Sequence, residues 1–115
     1  MKEFIKVMKA LSDPNRVKII KILQKRVMCV CEIQAALDIA QPTVSKHLKL
    51  LEGAGMVSNM KDGLWVNYSI TGGAQSPYAA SFLGHMCHWL SEDPEIKRLL
   101  DRLDEIQRED ICKRP

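Results

Sequence analysis

Two thiols, Cys29 and Cys31, stand one residue apart in the stretch VMCVCEIQ at positions 27–34. Thiolates are soft ligands and the nucleophilic form of cysteine, so a close pair suggests capture of a soft ion or thiol redox chemistry. The spacing sets a condition. On an ideal helix residues i and i+2 point ~200° apart and cannot share an ion, whereas in an extended segment both fall on one side. Chelation by this pair therefore requires a non-helical entry to the segment that follows. The plain alternative is two small apolar fillers of a core.

Two further cysteines lie downstream. Cys87 falls among Leu83, Met86 and Leu90 and reads as interface packing; its neighbours His85 and His88 could bind a metal, with structural or surface roles the favoured reading. Cys112 lies in the terminal segment ICKRP, from which a thiol could reach a distant site.

A second set of residues has donors suited to nucleic acid: Gln41, Thr43, Ser45, Lys46, Lys49 and Lys61. Each has a plainer reading too. Gln41 can cap a helix, Thr43 and Ser45 can bond backbone carbonyls, and an exposed lysine can be merely solvated. His47 reads as a packing or hydrogen-bonding residue of the domain.

The elements that must position these groups are mostly helical. Phe4, Val7, Met8 and Leu11 predict a helix over 2–11. Ser12-Asp13-Pro14 opens a second to about 26, and Val30, Ile33 and Leu37 mark a short third over 30–38. Gln41-Pro42-Thr43 begins a fourth, with Val44, Leu48 and Leu51 inward, ended by Gly53-Ala54-Gly55. Residues 57–61 and 64–70 then read as strands joined by an Asp62-Gly63 hairpin turn. Ser76-Pro77 opens a fifth helix to near Leu90. Asp93-Pro94 opens a sixth, striped by Ile96, Leu99, Leu100, Leu103 and Ile106.

Two short helices followed by a hairpin make a winged helix-turn-helix, an α+β fold that is mostly α. Its second helix suits the DNA major groove and its hairpin the backbone or minor groove. The expected division is a DNA-binding unit over 1–91, dimerisation helices included, and a C-terminal helix and tail over 92–115.

Charge allows a polyanion-binding face or simply a solvated surface. Residues 1–63 carry 11 Lys/Arg against 6 Asp/Glu, while 64–115 carry 6 against 8. No apolar run is long enough to span a membrane, and Met-Lys-Glu begins no secretory signal. The expected setting is the cytoplasm, where thiols stay reduced. A thiol oxidoreductase would carry CxxC rather than CxC, so no enzyme is expected.

Taken in order, LSDPNRVKIIKIL, CVCEI, QPTVSKHLKLLEGAGMV and KDGLWVNYSI resemble successive signature segments of the ArsR/SmtB family, over residues 1 to about 71. The resemblance implies a homodimeric winged-helix repressor on an inverted-repeat operator in double-stranded DNA. It implies no cofactor for DNA binding, and release by a metal or metalloid. Cys29 and Cys31 resemble the arsenite/antimonite type of site. In many such sensors a third cysteine follows three residues later, where this chain has Gln34; Cys112 is then the candidate third ligand. Cadmium/lead/zinc sensors of the family add thiols from an N-terminal extension, and this sequence has no cysteine before Cys29. A Cd/Pb/Zn-responsive or thiol-redox-responsive repressor of the same fold is the alternative, and a constitutive DNA binder a further one.

Overall fold

The computed structural model describes residues 1–106. Its order is α1 (Lys2–Ala10), α2 (Pro14–Leu23), β1 (Met28–Cys29), α3 (Val30–Leu37), α4 (Gln41–Gly53), β2 (Val57–Asp62), β3 (Trp65–Ile70), α5 (Pro77–Met86), α6 (Pro94–Arg102) and a 3₁₀ turn, Leu103–Glu105. The winged helix-turn-helix architecture is as expected from the sequence.

Proline-led starts define three helices. The Asp13 carboxylate accepts from the N–H groups of Asn15 and Arg16, Ser76 from Ala79, and Asp93 from Glu95 and Ile96. Each cap satisfies donors that a helix start leaves open. Burial alone would raise the Asp13 carboxyl, but the backbone N–H groups of Arg16 and Asn15, with the electrostatic pull of the nearby His47 ring and the Arg16 guanidinium, bring it below the usual range.

Beneath the caps lies one core. Ile19, Ile20, Ile22, Met28, Ile33, Leu48, Leu51 and Met56 are fully enclosed, and Leu99 and Leu103 join the same cluster from the C-terminal side. Arg102 donates to the Ala36 carbonyl near the end of α3, so the last helix grips the third by its open C-terminal carbonyls.

Several boundaries moved. The second helix stops at Leu23, and α5 stops at Met86, with Leu90 turning at φ 66°. The hairpin loop is Gly63-Leu64 rather than Asp62-Gly63, because Asp62 pairs with Trp65. Gly63, at φ 64°, takes the left-handed position at which a two-residue loop admits glycine without strain. Leu64 therefore sits in the turn, 60% exposed, and not in the strand. Gly73 is needed for space as well as conformation: a Cβ there would fall 2.4 Å from the Ala80 Cα of α5.

The larger difference is β1. The sequence reading has two strands; the sheet has three, in the order β1-β3-β2, with Met28 opposite Tyr68 and Cys29 opposite Asn67. A thiol-bearing segment is thereby paired to the wing.

Candidate ligand site and nucleic-acid interface

Cys29 is both the end of β1 and the residue that caps α3, with extended backbone angles of φ −87° and ψ 170°. Cys31 lies one residue inside the helix. The pair thus straddles a strand-to-helix junction, and the non-helical entry that chelation requires already exists.

The junction is held by charge. Glu32, 6% exposed, accepts the Cys29 N–H on one carboxylate oxygen at 3.0 Å, the returning half of a capping box. Its other oxygen accepts from Arg26 at 3.2 Å, and the same guanidinium nitrogen donates to the Ile106 carbonyl at 2.7 Å. One relay therefore runs from the thiol segment to the last described residue.

The two thiols interact. Burial, then the charge and hydrogen bonding of the Cys29 thiol, push the Cys31 thiol above its ordinary range; the Glu32 carboxylate adds to this, and a backbone hydrogen bond opposes it. A soft ion that binds Cys31 therefore has to displace its proton.

Beside the thiols opens a cleft of about 370 Å³ lined by Cys29, Val30, Cys31, Gln41, Leu64, Trp65 and Val66. It brings together the thiol pair, the first residue of α4 and the turn end of the wing. No periodicity in the sequence signals this meeting, because it depends on β1 pairing with β3.

Among the described residues, no three His, Cys, Asp or Glu side chains gather into a metal-binding group. The donor set here is two sulfurs, which suits a soft ion whose remaining ligand comes from elsewhere. Cys112 lies outside the described residues. Cys87 is exposed at the end of α5, where its sulfur accepts from Gln24 and donates to Leu83 O, both at 3.5 Å. His85 stacks edge-on against Trp89, with ring centres 5.0 Å apart.

The other candidate residues form a surface. Gln41, Thr43, Ser45, Lys46 and Lys49 are exposed along α4, while Val44, His47, Leu48 and Leu51 are buried. At 100° per residue Gln41, Ser45 and Lys49 share one stripe, with Lys46 beside it and Thr43 toward the His47 edge. Ala40, not Gln41, occupies the cap position of α4. Lys61 is exposed near the tip of the wing. No described helix is long and apolar enough to cross a membrane.

Residues 13–59 match the sequence pattern of the bacterial regulatory proteins of the arsR family. The arsenical resistance operon repressor of Escherichia coli K12 is 31% identical over 102 residues, covering 86% of this chain and 83% of that protein. A cadmium resistance regulatory protein, a CadC homologue from Staphylococcus aureus, is 41% identical over 66 residues, 56% of this chain and 54% of that one. Among solved structures, HlyU from Vibrio cholerae aligns with a TM-score of 0.65 at 23% identity, covering 80% of this chain and 95% of that one. At that identity the likeness speaks for the fold.

Proposed function

From its membership of the ArsR/SmtB family of transcriptional repressors, shown by the matched pattern and the relative that spans most of its length, we propose that this chain is a homodimeric, cytoplasmic repressor of an inverted-repeat operator, released when As(III) or Sb(III) binds Cys29 and Cys31. In this reading Gln41, Thr43 and Ser45 face base edges, and Lys46, Lys49 and Lys61 face phosphates. No cofactor is needed for DNA binding.

The observation that carries the reading is the cleft. Its thiol wall belongs to the candidate sensor, and its other walls are Gln41 and the wing, two parts of the candidate DNA surface. A ligand drawing the two sulfurs together acts on β1, whose Cys29 pairs with Asn67 of the wing, and presses on the start of α4. Release requires only that the ligand prefer the displaced arrangement. Typical allosteric couplings of ~1–3 kcal/mol correspond to about 5–150-fold in DNA affinity.

The third ligand in this reading is Cys112. Arg26 holds Ile106 at one end of the relay whose other end is the Cys29 N–H. Cys112 follows Ile106 by six residues, a span of at most roughly 20 Å. That makes a ligand from the same subunit geometrically reasonable. The runner-up, a response to Cd, Pb or Zn, is supported by the cadmium-regulator relative; a thiol-redox response is supported by the close thiol pair.

The test measures release of a duplex selected by the protein from a randomised DNA pool. As(III), Sb(III), Cd(II), Zn(II) and peroxide are compared with and without reductant. Cys29→Ser and Cys31→Ser should each bind DNA almost normally and fail to respond to As(III); serine is itself a good cap, so α3 should persist. A normal response in either variant would reduce the pair to packing. Cys112→Ser should weaken the response without abolishing it, and X-ray absorption should count two sulfurs around arsenic instead of three.

A further inference from the structure

The cleft leaves the start of α4 open, but a different contact holds its middle. Arg16, in the first turn of α2, spreads its guanidinium over the end of α1: Nε donates to Ala10 O at 2.8 Å and Nη2 to Lys9 O at 3.1 Å. The remaining arm, Nη1, meets His47 Nδ1 on α4 at 3.0 Å. A guanidinium has donors only, so Nδ1 must be the acceptor and the imidazole carries its proton on Nε2. That Nε2–H faces the Asp13 carboxylate at 3.9 Å, and Asp13 is itself held as the cap of α2. His47 is 9% exposed. Its two ring nitrogens thus face the start of α2, Nδ1 through the guanidinium that closes the last turn of α1 and Nε2 at the Asp13 carboxylate.

We propose that Arg16 and His47 are positioning residues for DNA binding, a brace that sets the roll of α4 against α1 and α2. The proposal rests on α4 being the reading helix and adds where its orientation comes from. Apolar burial of Val44, Leu48 and Leu51 is strong but non-directional, so it resists separation better than rotation. A hydrogen bond between two planar groups is directional. His47 lies at the edge of the buried stripe, where such a bond opposes roll most directly. A roll of ~20° would move a side-chain tip about 5–6 Å from the helix axis by roughly 2 Å. That is enough to break a base contact, whose useful range is narrow.

The test uses the full chain, a duplex selected by the wild type from a randomised pool, and an unrelated duplex of equal length. Anisotropy gives both affinities, and thermal unfolding is recorded for every variant. His47→Leu removes the acceptor at similar bulk. His47→Asn keeps an acceptor near the Nδ1 position, and Arg16→Lys keeps the charge but cannot reach α1 and α4 together. His47→Leu and Arg16→Lys should each lose on the order of tenfold on the selected duplex, the scale of one charge-assisted bond. Loss on the unrelated duplex should be much smaller. His47→Asn should recover most of the ratio between the two, and the Arg16→Lys/His47→Leu double variant should be no worse than the poorer single one. An unchanged ratio in His47→Leu would overturn the brace. So would equal failure of His47→Asn and His47→Leu, or losses on both duplexes that simply follow the fall in Tm. If Lys46→Ala/Lys49→Ala weakens neither duplex, α4 is not the reader, and the underlying reading falls on its own evidence, taking the brace with it.

Discussion

From Val44 onward α4 is built into the body: Val44, Leu48 and Leu51 are 0% exposed, and His47 is held between Arg16 and Asp13. Its first turn is different. Ala40 contributes no side-chain cap, Gln41, Pro42 and Thr43 are exposed, and Gln41 borders an open cleft shared with two thiols and the wing. One helix therefore has a fixed segment and an adjustable one. The contrast suggests how a small domain can bind DNA in a defined pose and still be switched. In the proposed reading, the fixed segment supplies the pose, and a ligand would need only to disturb the end that is not locked by packing.

Loss of the fixed segment should have the largest effect. Leu48→Ala leaves a cavity where nothing is exposed to solvent, and should destabilise the fold by about 2–5 kcal/mol, read as a lower midpoint in urea. DNA binding at moderate temperature should fall with it. A midpoint within error of wild type would mean that α4 is not anchored there.

The exposed lysines lie between the extremes. Lys46→Ala/Lys49→Ala should leave unfolding unchanged yet weaken binding to every duplex. The slope of log affinity against log salt should drop by about 0.9 for each lost phosphate contact. An unaltered slope over several salt concentrations would remove both lysines from the interface.

The smallest effect is expected at the open end. Gln41→Ala should keep stability and overall affinity close to wild type, and relax preference at one base pair by about 1–3 kcal/mol if that side chain makes a bidentate contact. Competition among single-site operator variants reads this directly. If Gln41→Ala instead destabilises the fold as much as Leu48→Ala, the distinction between the two segments fails.

Much of this was legible in residue order. Asp13-Pro14, Ser76-Pro77 and Asp93-Pro94 announce helix starts because capping is local chemistry between neighbours. The Val44, Leu48, Leu51 spacing marks the buried face of α4, and therefore also the exposed one. Asp62-Gly63 locates the hairpin to within a residue; which residue takes the positive φ depended on the register of the two strands. The CxC pair names its own chemistry and its own geometric condition. What met that condition was not local. β1 is two residues long, too short for any periodicity to show, and exists only because β3 lies beside it. The Arg26–Glu32 relay, the cleft at Gln41 and Trp65, and the Arg16–His47 bond across 31 positions are likewise set by which elements meet. Residue types and spacings determine caps, periods and candidate chemistry, because those interactions span a few bonds. Tertiary packing decides which of the candidates share a site, because that depends on contacts between segments distant along the chain.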